Sequence, residues 1–271
     1  METIDWSKYG RTSALQFDPI AHGAMRADSY NTTPGNLSGM DCKKCLNKGS
    51  IAIPRDDGSV STVDCECMKA RRSIWKMERS GLKNVIKEMT FEKYEAEEEW
   101  QKNIKQLAMA YAESMDGWLL FCGQVGSGKS HLCTAICRCR LLRGDEVRYM
   151  PWRDDVAKLK ALSLDNKERE KMLADLKGAQ ILYIDDLFKI GKGADGSSNP
   201  TGADVGIAFE IINHRYINHL HTIVSTEKTP QELIAIDEAT ASRIIERAKS
   251  NVVNIGRKPN RNYRLRSVVE V

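Results

Sequence analysis

No run of apolar residues in this 271-residue chain approaches the ~20 that a membrane-spanning helix needs. The opening stretch, METIDWSKYG, lacks the apolar core of a secretion signal. Both absences lead us to expect a cytoplasmic protein with no membrane contact. There is no internal repeat, and no large charge of one sign: 41 Lys and Arg against 37 Asp and Glu leave a net +4. A disulfide framework is not expected either, because the eight cysteines of a cytosolic chain stay reduced. What remains is a composition of 41% hydrophobic and 29% charged residues, sized for one substantial domain and a small one.

The charge is unevenly spread. Residues 69–83 hold Lys69, Arg71, Arg72, Lys76, Arg79 and Lys83 beside a single acid, Glu78. Residues 243–266 hold Arg243, Arg247, Lys249, Arg257, Lys258, Arg261, Arg264 and Arg266 beside Glu246 alone. Each stretch fits contact with nucleic acid or a solvated face equally well.

Residues 1–40, rich in Ser, Thr, Asn, Gly and Pro, read as a flexible arm with room for one short helix. A cysteine unit and a basic helix, broken near Ser80-Gly81, fill 41–89, and a helix is expected over 95–116. Beyond it, apolar runs at 118–122, 147–150, 180–185, 221–225 and 252–255 alternate with helical segments at 129–143, 153–176 and 204–219, the last behind Asp204 as its cap. Such alternation predicts an α/β fold, a central parallel sheet flanked by helices. The 147–150 strand is expected between the two strands that carry the chemistry. A loop is expected at 191–203, GKGADGSSNPTGA.

One motif is complete. Gly123-Gln124-Val125-Gly126-Ser127-Gly128-Lys129-Ser130 fits G-x-x-x-x-G-K-[ST] between a strand and a helix, the context in which it cradles phosphates. Backbone amides of Gly123, Gly126, Ser127 and Gly128 and the helix start supply positive potential, Lys129 reaches the outer phosphates, and Ser130 binds Mg²⁺. Asp185 stands 55 residues after Ser130, with Asp186 beside it, at the end of the apolar run Ile181 to Ile184. Parallel sheets bind ligands at that edge, so Asp185 is expected to hold Mg²⁺ and Asp186 to polarise an attacking water. An acid in that role points to ATP hydrolysis rather than transfer to a bound acceptor.

The remaining chemistry is sulfur. Cys42-x-x-Cys45 and Cys65-x-Cys67, with 19 residues between the pairs, offer four thiolates around a predicted hairpin, Ile51 to Ile53 and Val60 to Val63 turning at Asp57-Gly58. A structural Zn²⁺ in a zinc-ribbon-like domain is the leading reading; redox-active thiols and an iron–sulfur cluster are the alternatives. Cys122, Cys133, Cys137 and Cys139 read as small core residues.

Over residues 41–271 the chain resembles the DnaC/DnaI-like replicative helicase loaders, in particular phage-encoded ones. The resemblance rests on Cys65-Glu66-Cys67-Met68, Thr90-Phe91-Glu92-Lys93-Tyr94, GSGKSHL with His131 after the loop, YIDDL, TIVSTEKT, SRIIER and NYRLR. It implies a P-loop AAA+ core over 90–271 that binds ATP with Mg²⁺, assembles into homo-oligomers through its ATP sites, and drives a replicative hexameric DNA helicase onto single-stranded DNA. It also implies that 41–89 contacts the helicase, that His131 belongs to the nucleotide site, and that Arg243 or Arg247 reaches the neighbouring subunit's γ-phosphate. At the sensor position stands Thr226-Glu227, where a carboxylate would repel phosphate, so Glu227 is expected to position water or bind an arginine. Arg264 and Arg266 are weaker candidates for a second sensor. An IstB-type transposition helper and an ATP-switched DNA-binding module are the alternative functions.

Overall fold

The computed structural model describes residues 18–38, 40–77, 85–189 and 199–268. The break expected at Ser80-Gly81, most of the 191–203 loop and the first 17 residues lie outside these, as does the side chain of Arg266. The chain divides into two compact units, Met1–Met68 and Lys69–Val271.

In the first unit the expected arm carries a 14-residue helix, α1 (Pro19–Thr32). Asp18 caps it by accepting the amides of Ile20 at 2.9 Å and Ala21 at 3.2 Å, and Pro19 occupies the first turn, where a missing N–H costs nothing. The predicted hairpin forms as β1 (Ser50–Pro54) and β2 (Val60–Asp64), antiparallel with Ile51 opposite Val63. The Asn31 amide ties α1 to β1 by donating to the Ala52 carbonyl and accepting its N–H, both at 2.9 Å. Among the described residues the buried apolar side chains here are only Ala27, Ala52, Cys45, Cys65 and Cys67. A unit with so small a core needs another source of stability.

The second unit is built on five parallel strands, β3 (Leu119–Gly123), β4 (Val147–Pro151), β5 (Ile181–Asp185), β6 (His221–Ser225) and β7 (Val252–Ile255), in the order β4-β5-β6-β3-β7. Successive side chains take opposite faces. The expected basic helix appears as α2 (Cys67–Met77) and the short α3 (Val85–Glu88). Leu119 and Phe121 join Tyr149 and Tyr183 in one core, which α4 (Glu99–Ser114) and α5 (Lys129–Leu142) cover through Ala108, Tyr111, Leu132 and Ile136. Leu120 and Cys122 join Met150, Leu182 and Val224 in the other, under α6 (Trp152–Ala161), α7 (Asn166–Gly178), α8 (Gly202–Ile217), α9 (Pro230–Ile236) and α10 (Glu238–Ala248). Strands buried on both faces read as unbroken apolar runs, as β3 and β5 do, whereas the edge strands β4 and β7 are interrupted by Arg148 and Asn254.

Three expectations change. The 153–176 segment is two helices, because Asp165 accepts the Glu168 amide at 3.2 Å and starts α7 afresh. Thr201, not Asp204, caps α8: Asp204 reaches back from the third position and accepts the Thr201 N–H at 2.8 Å, a reciprocal capping box. The strand between β3 and β5 is β6, and 147–150 lies at the sheet edge.

Candidate functional site

The phosphate loop leaves β3 and enters α5 where the motif places it. Gly128 has φ +87°, a conformation that favours glycine, and a Cβ there would stand 2.7 Å from the Tyr94 ring. On the other side Gly126 accepts the Tyr263 amide at 3.0 Å, and the Tyr263 phenol donates to Glu95 at 2.7 Å. The loop is thus enclosed between Tyr94 and the carboxy-terminal segment. Gln124 and Lys258 join the same segment to the loop by a reciprocal pair of hydrogen bonds at 2.9 and 2.7 Å. The Lys129 ammonium donates to the carbonyls of Gly123 and Gln124 at 2.8 and 2.7 Å, and burial pushes it below its ordinary pKa. His131 does not stand alone: its Nε2 lies 2.7 Å from the Thr90 carbonyl and its ring meets Tyr94 edge-on.

Four hydroxyls converge on Asp185. Ser130 at 2.9 Å, Tyr183 at 2.6 Å and Ser225 at 2.5 Å donate to Oδ1, and Tyr149 donates to Oδ2 at 3.0 Å. Burial, followed by the Asp185 charge, holds both phenols well above their ordinary pKa, so they remain donors. Two cis ligands of an octahedral Mg²⁺ at about 2.0–2.1 Å lie about 2.9 Å apart, which the Ser130–Asp185 oxygens match. Asp186 turns away from this cluster at φ +58°. Its Oδ2 accepts the Lys189 ammonium at 2.9 Å, and the same ammonium pairs with Glu227 at 2.5 Å. Burial raises the Asp186 carboxyl above the usual range. Glu227, expected to position water or bind an arginine, is paired with a lysine.

The pocket is lined by Gly126, Ser127, Gly128, Lys129, Ser130, His131 and Asp186, with Lys189, Glu227, Arg261 and Arg264. Arg243 and Arg247 are not among its walls. They lie on α10, where Arg243 donates to Asn213 at 3.0 Å and Arg247 to the Tyr216 carbonyl at 2.9 Å. Sequence reasoning missed Tyr149, Tyr183, Ser225 and Lys189. Tyr183 was legible, two residues before Asp185 on the same face of one strand; Tyr149 and Ser225 meet Asp185 only through the sheet order.

The sulfurs of Cys42, Cys45, Cys65 and Cys67 all lie within 4.8 Å of one another. Cys42 to Cys65 is 3.8 Å and Cys45 to Cys67 is 3.6 Å. The edge of a tetrahedron with Zn–S near 2.3 Å is about 3.8 Å, so the set fits one Zn²⁺. Burial pushes the Cys45 thiol up, but the Gly49 amide at 3.3 Å and the neighbouring sulfurs outweigh it and bring it to about 6.

Comparison with known families decides the class of the larger unit. The model for the IstB-like ATP binding protein family matches residues 64–270. The chain belongs to that family. Along 270 residues it is 28% identical to the phage-like element PBSX protein XkdC of Bacillus subtilis (strain 168), covering 95% of this chain and 98% of that protein. It is 31% identical over 145 residues to the replicative helicase loader DnaC of Escherichia coli (strain K12), covering 51% of this chain and 58% of that one. The crystal structure of a DnaC helicase loader superposes with a TM-score of 0.52 at 18% identity, over 64% of this chain and 99% of that one. The fold is the AAA+ P-loop fold that the resemblance implied, and the resemblance to DnaC-like proteins is borne out at the level of the ATP-binding domain.

Proposed function

We propose that this protein is an ATPase that loads a replicative hexameric DNA helicase onto single-stranded DNA. The observation that carries the reading is a DnaC-like ATP-binding domain whose phosphate loop, Ser130–Asp185 pair and Asp186 stand together at one sheet edge. Lys129 and the amides of the loop would bind the phosphates of ATP. Ser130 and Asp185 would hold Mg²⁺, which supplies charge neutralisation at the phosphates. Asp186 accepts the proton of the attacking water as its oxygen bonds to the γ-phosphorus and the bond to the bridging oxygen of ADP breaks; the proton then leaves with phosphate. Since Arg243 and Arg247 lie off the pocket of their own chain, they are available to the site of a neighbouring copy in a homo-oligomer.

Residues 41–68 would serve as the helicase-binding surface, ordered by Zn²⁺ on the four thiolates. The test is recovery of bound proteins from the cell's lysate by the zinc-loaded wild type and by a Cys42→Ser, Cys45→Ser form, read by mass spectrometry. A replicative hexameric helicase recovered by the wild type alone is the expected result. Recovery of a transposase instead would favour the IstB-type transposition helper, a reading that the family match itself keeps in play.

A further inference from the structure

Lys189 has no place in the motif, yet its position is tightly specified. It ends a short turn at the carboxyl end of β5 in which two non-glycine residues, Asp186 at φ +58° and Phe188 at φ +61°, adopt the left-handed conformation. Such geometry strains a non-glycine residue and persists only where the surroundings enforce it. Here they do. The Asp186 amide donates to Ser225 Oγ at 3.1 Å, the Leu187 amide to the Ser225 carbonyl at 2.9 Å, and Thr226 Oγ1 to the Leu187 carbonyl at 2.8 Å. The Phe188 ring, 1% exposed, packs edge-on against Trp152. The Lys189 amide closes the turn on the Asp186 carbonyl at 2.8 Å.

The side chain then spans two strands. Its ammonium lies 2.9 Å from Asp186 Oδ2, after β5, and 2.5 Å from Glu227 Oε1, after β6. Glu227 is itself fixed relative to the phosphate loop, because Thr226 donates to the Phe121 carbonyl at 2.9 Å and accepts from Gly123 at 3.1 Å. The side chain is 40% exposed, yet its ammonium is held from two strands where it lines the nucleotide pocket. Among the described residues no donor reaches the second oxygen of Asp186.

We propose that Lys189, clamped by Glu227, is a positioning residue for ATP hydrolysis: it holds Asp186 by one carboxylate oxygen and leaves the other to take the water's proton. The proposal rests on the ATPase reading above. Glu227 therefore replaces a direct phosphate sensor by acting through a lysine that touches the catalytic acid.

The test uses the full chain with Lys189→Met, Lys189→Arg, Glu227→Gln and Asp186→Asn, each measured for steady-state ATP hydrolysis and for binding of a fluorescent ATP analogue. Misplacing a catalytic group by about 1 Å costs up to about 10²-fold, so Lys189→Met should lose about that in kcat. Its KM and analogue affinity should stay within about threefold of wild type, the pattern of an interaction made only in the transition state. Lys189→Arg should recover part of the loss, and Glu227→Gln should fall between Lys189→Met and wild type. Unchanged kcat in Lys189→Met overturns the proposal; so does a loss of analogue affinity parallel to the loss of kcat, which would make Lys189 a phosphate ligand. No ATP hydrolysis by wild type would overturn the ATPase reading itself; full turnover in Asp186→Asn beside an active wild type would remove the catalytic acid and overturn the proposal alone.

Discussion

Replacing Cys45 by serine removes one of four clustered sulfurs that could hold a metal ion from a unit that has little else to hold it. Among the described residues up to Met68, the buried apolar side chains are two alanines and three of the thiols themselves. Burial of an alanine contributes far less than the roughly 1.5–3 kcal/mol of a large aliphatic side chain, so metal binding and folding should be coupled. At free zinc 1,000-fold above Kd, the ion stabilises the unit by about 4.1 kcal/mol. A substitution that weakens the site 10²-fold leaves about 1.4 kcal/mol at the same zinc level, a loss of about 2.7 kcal/mol. Amide hydrogen exchange reads this region by region. In Cys45→Ser, or in wild type stripped by chelator, residues 18–68 should lose protection while strands β3 to β7 keep theirs. The Asn31–Ala52 pair joining α1 to the hairpin is the most informative reporter. Full protection of 18–68 in a sample shown by elemental analysis to hold no zinc would refute the coupling.

Other outcomes follow from the nucleotide pocket and the helix caps. Lys129→Ala should weaken ATP binding by about 10- to 10²-fold, the worth of a charge-assisted hydrogen bond, in an equilibrium titration with a fluorescent analogue. Gly128→Ala should also weaken binding, and adding Tyr94→Ala should relieve the 2.7 Å contact but not the cost of φ +87°, so the double variant recovers only in part. Asp204 titrates below the ordinary carboxylate range: burial works upward, but the bonds from Lys160 and Thr201 outweigh it. Its contribution is therefore complete above the unfolded-state value of about 3.9 and is lost as pH falls through the lower folded-state value. Asp204→Ala should lower the melting temperature at pH 7 and narrow the gap from wild type in strong acid, measured by thermal denaturation.

How legible the site was depended on how local each residue's role is. The phosphate loop is a contiguous segment whose glycines are required by its own backbone, and the four cysteines carry their ligand spacing with them. Asp185 was legible because an apolar run ends there. By contrast, the grip on Asp185 comes from β4, β5, β6 and the start of α5, and Lys189 acquires its partners through a turn with left-handed residues at Asp186 and Phe188, of which Phe is not a type that announces one. Asp204 was misread as a cap because Thr and Asp, three residues apart, exchange roles in a capping box.

The sequence by itself determined the strands of the sheet, the phosphate cradle, the acid pair and the four-thiol set, since hydrophobic period and ligand spacing act over a few residues. Tertiary structure alone decided that β6 lies between β3 and β5, bringing Ser225 to Asp185 and Glu227 to Lys189. It also decided that Arg243 and Arg247 stay off their own chain's pocket and that Tyr263 closes over Gly126. Strand order and chain crossings are set by the packing of whole faces, which no local pattern of residues encodes.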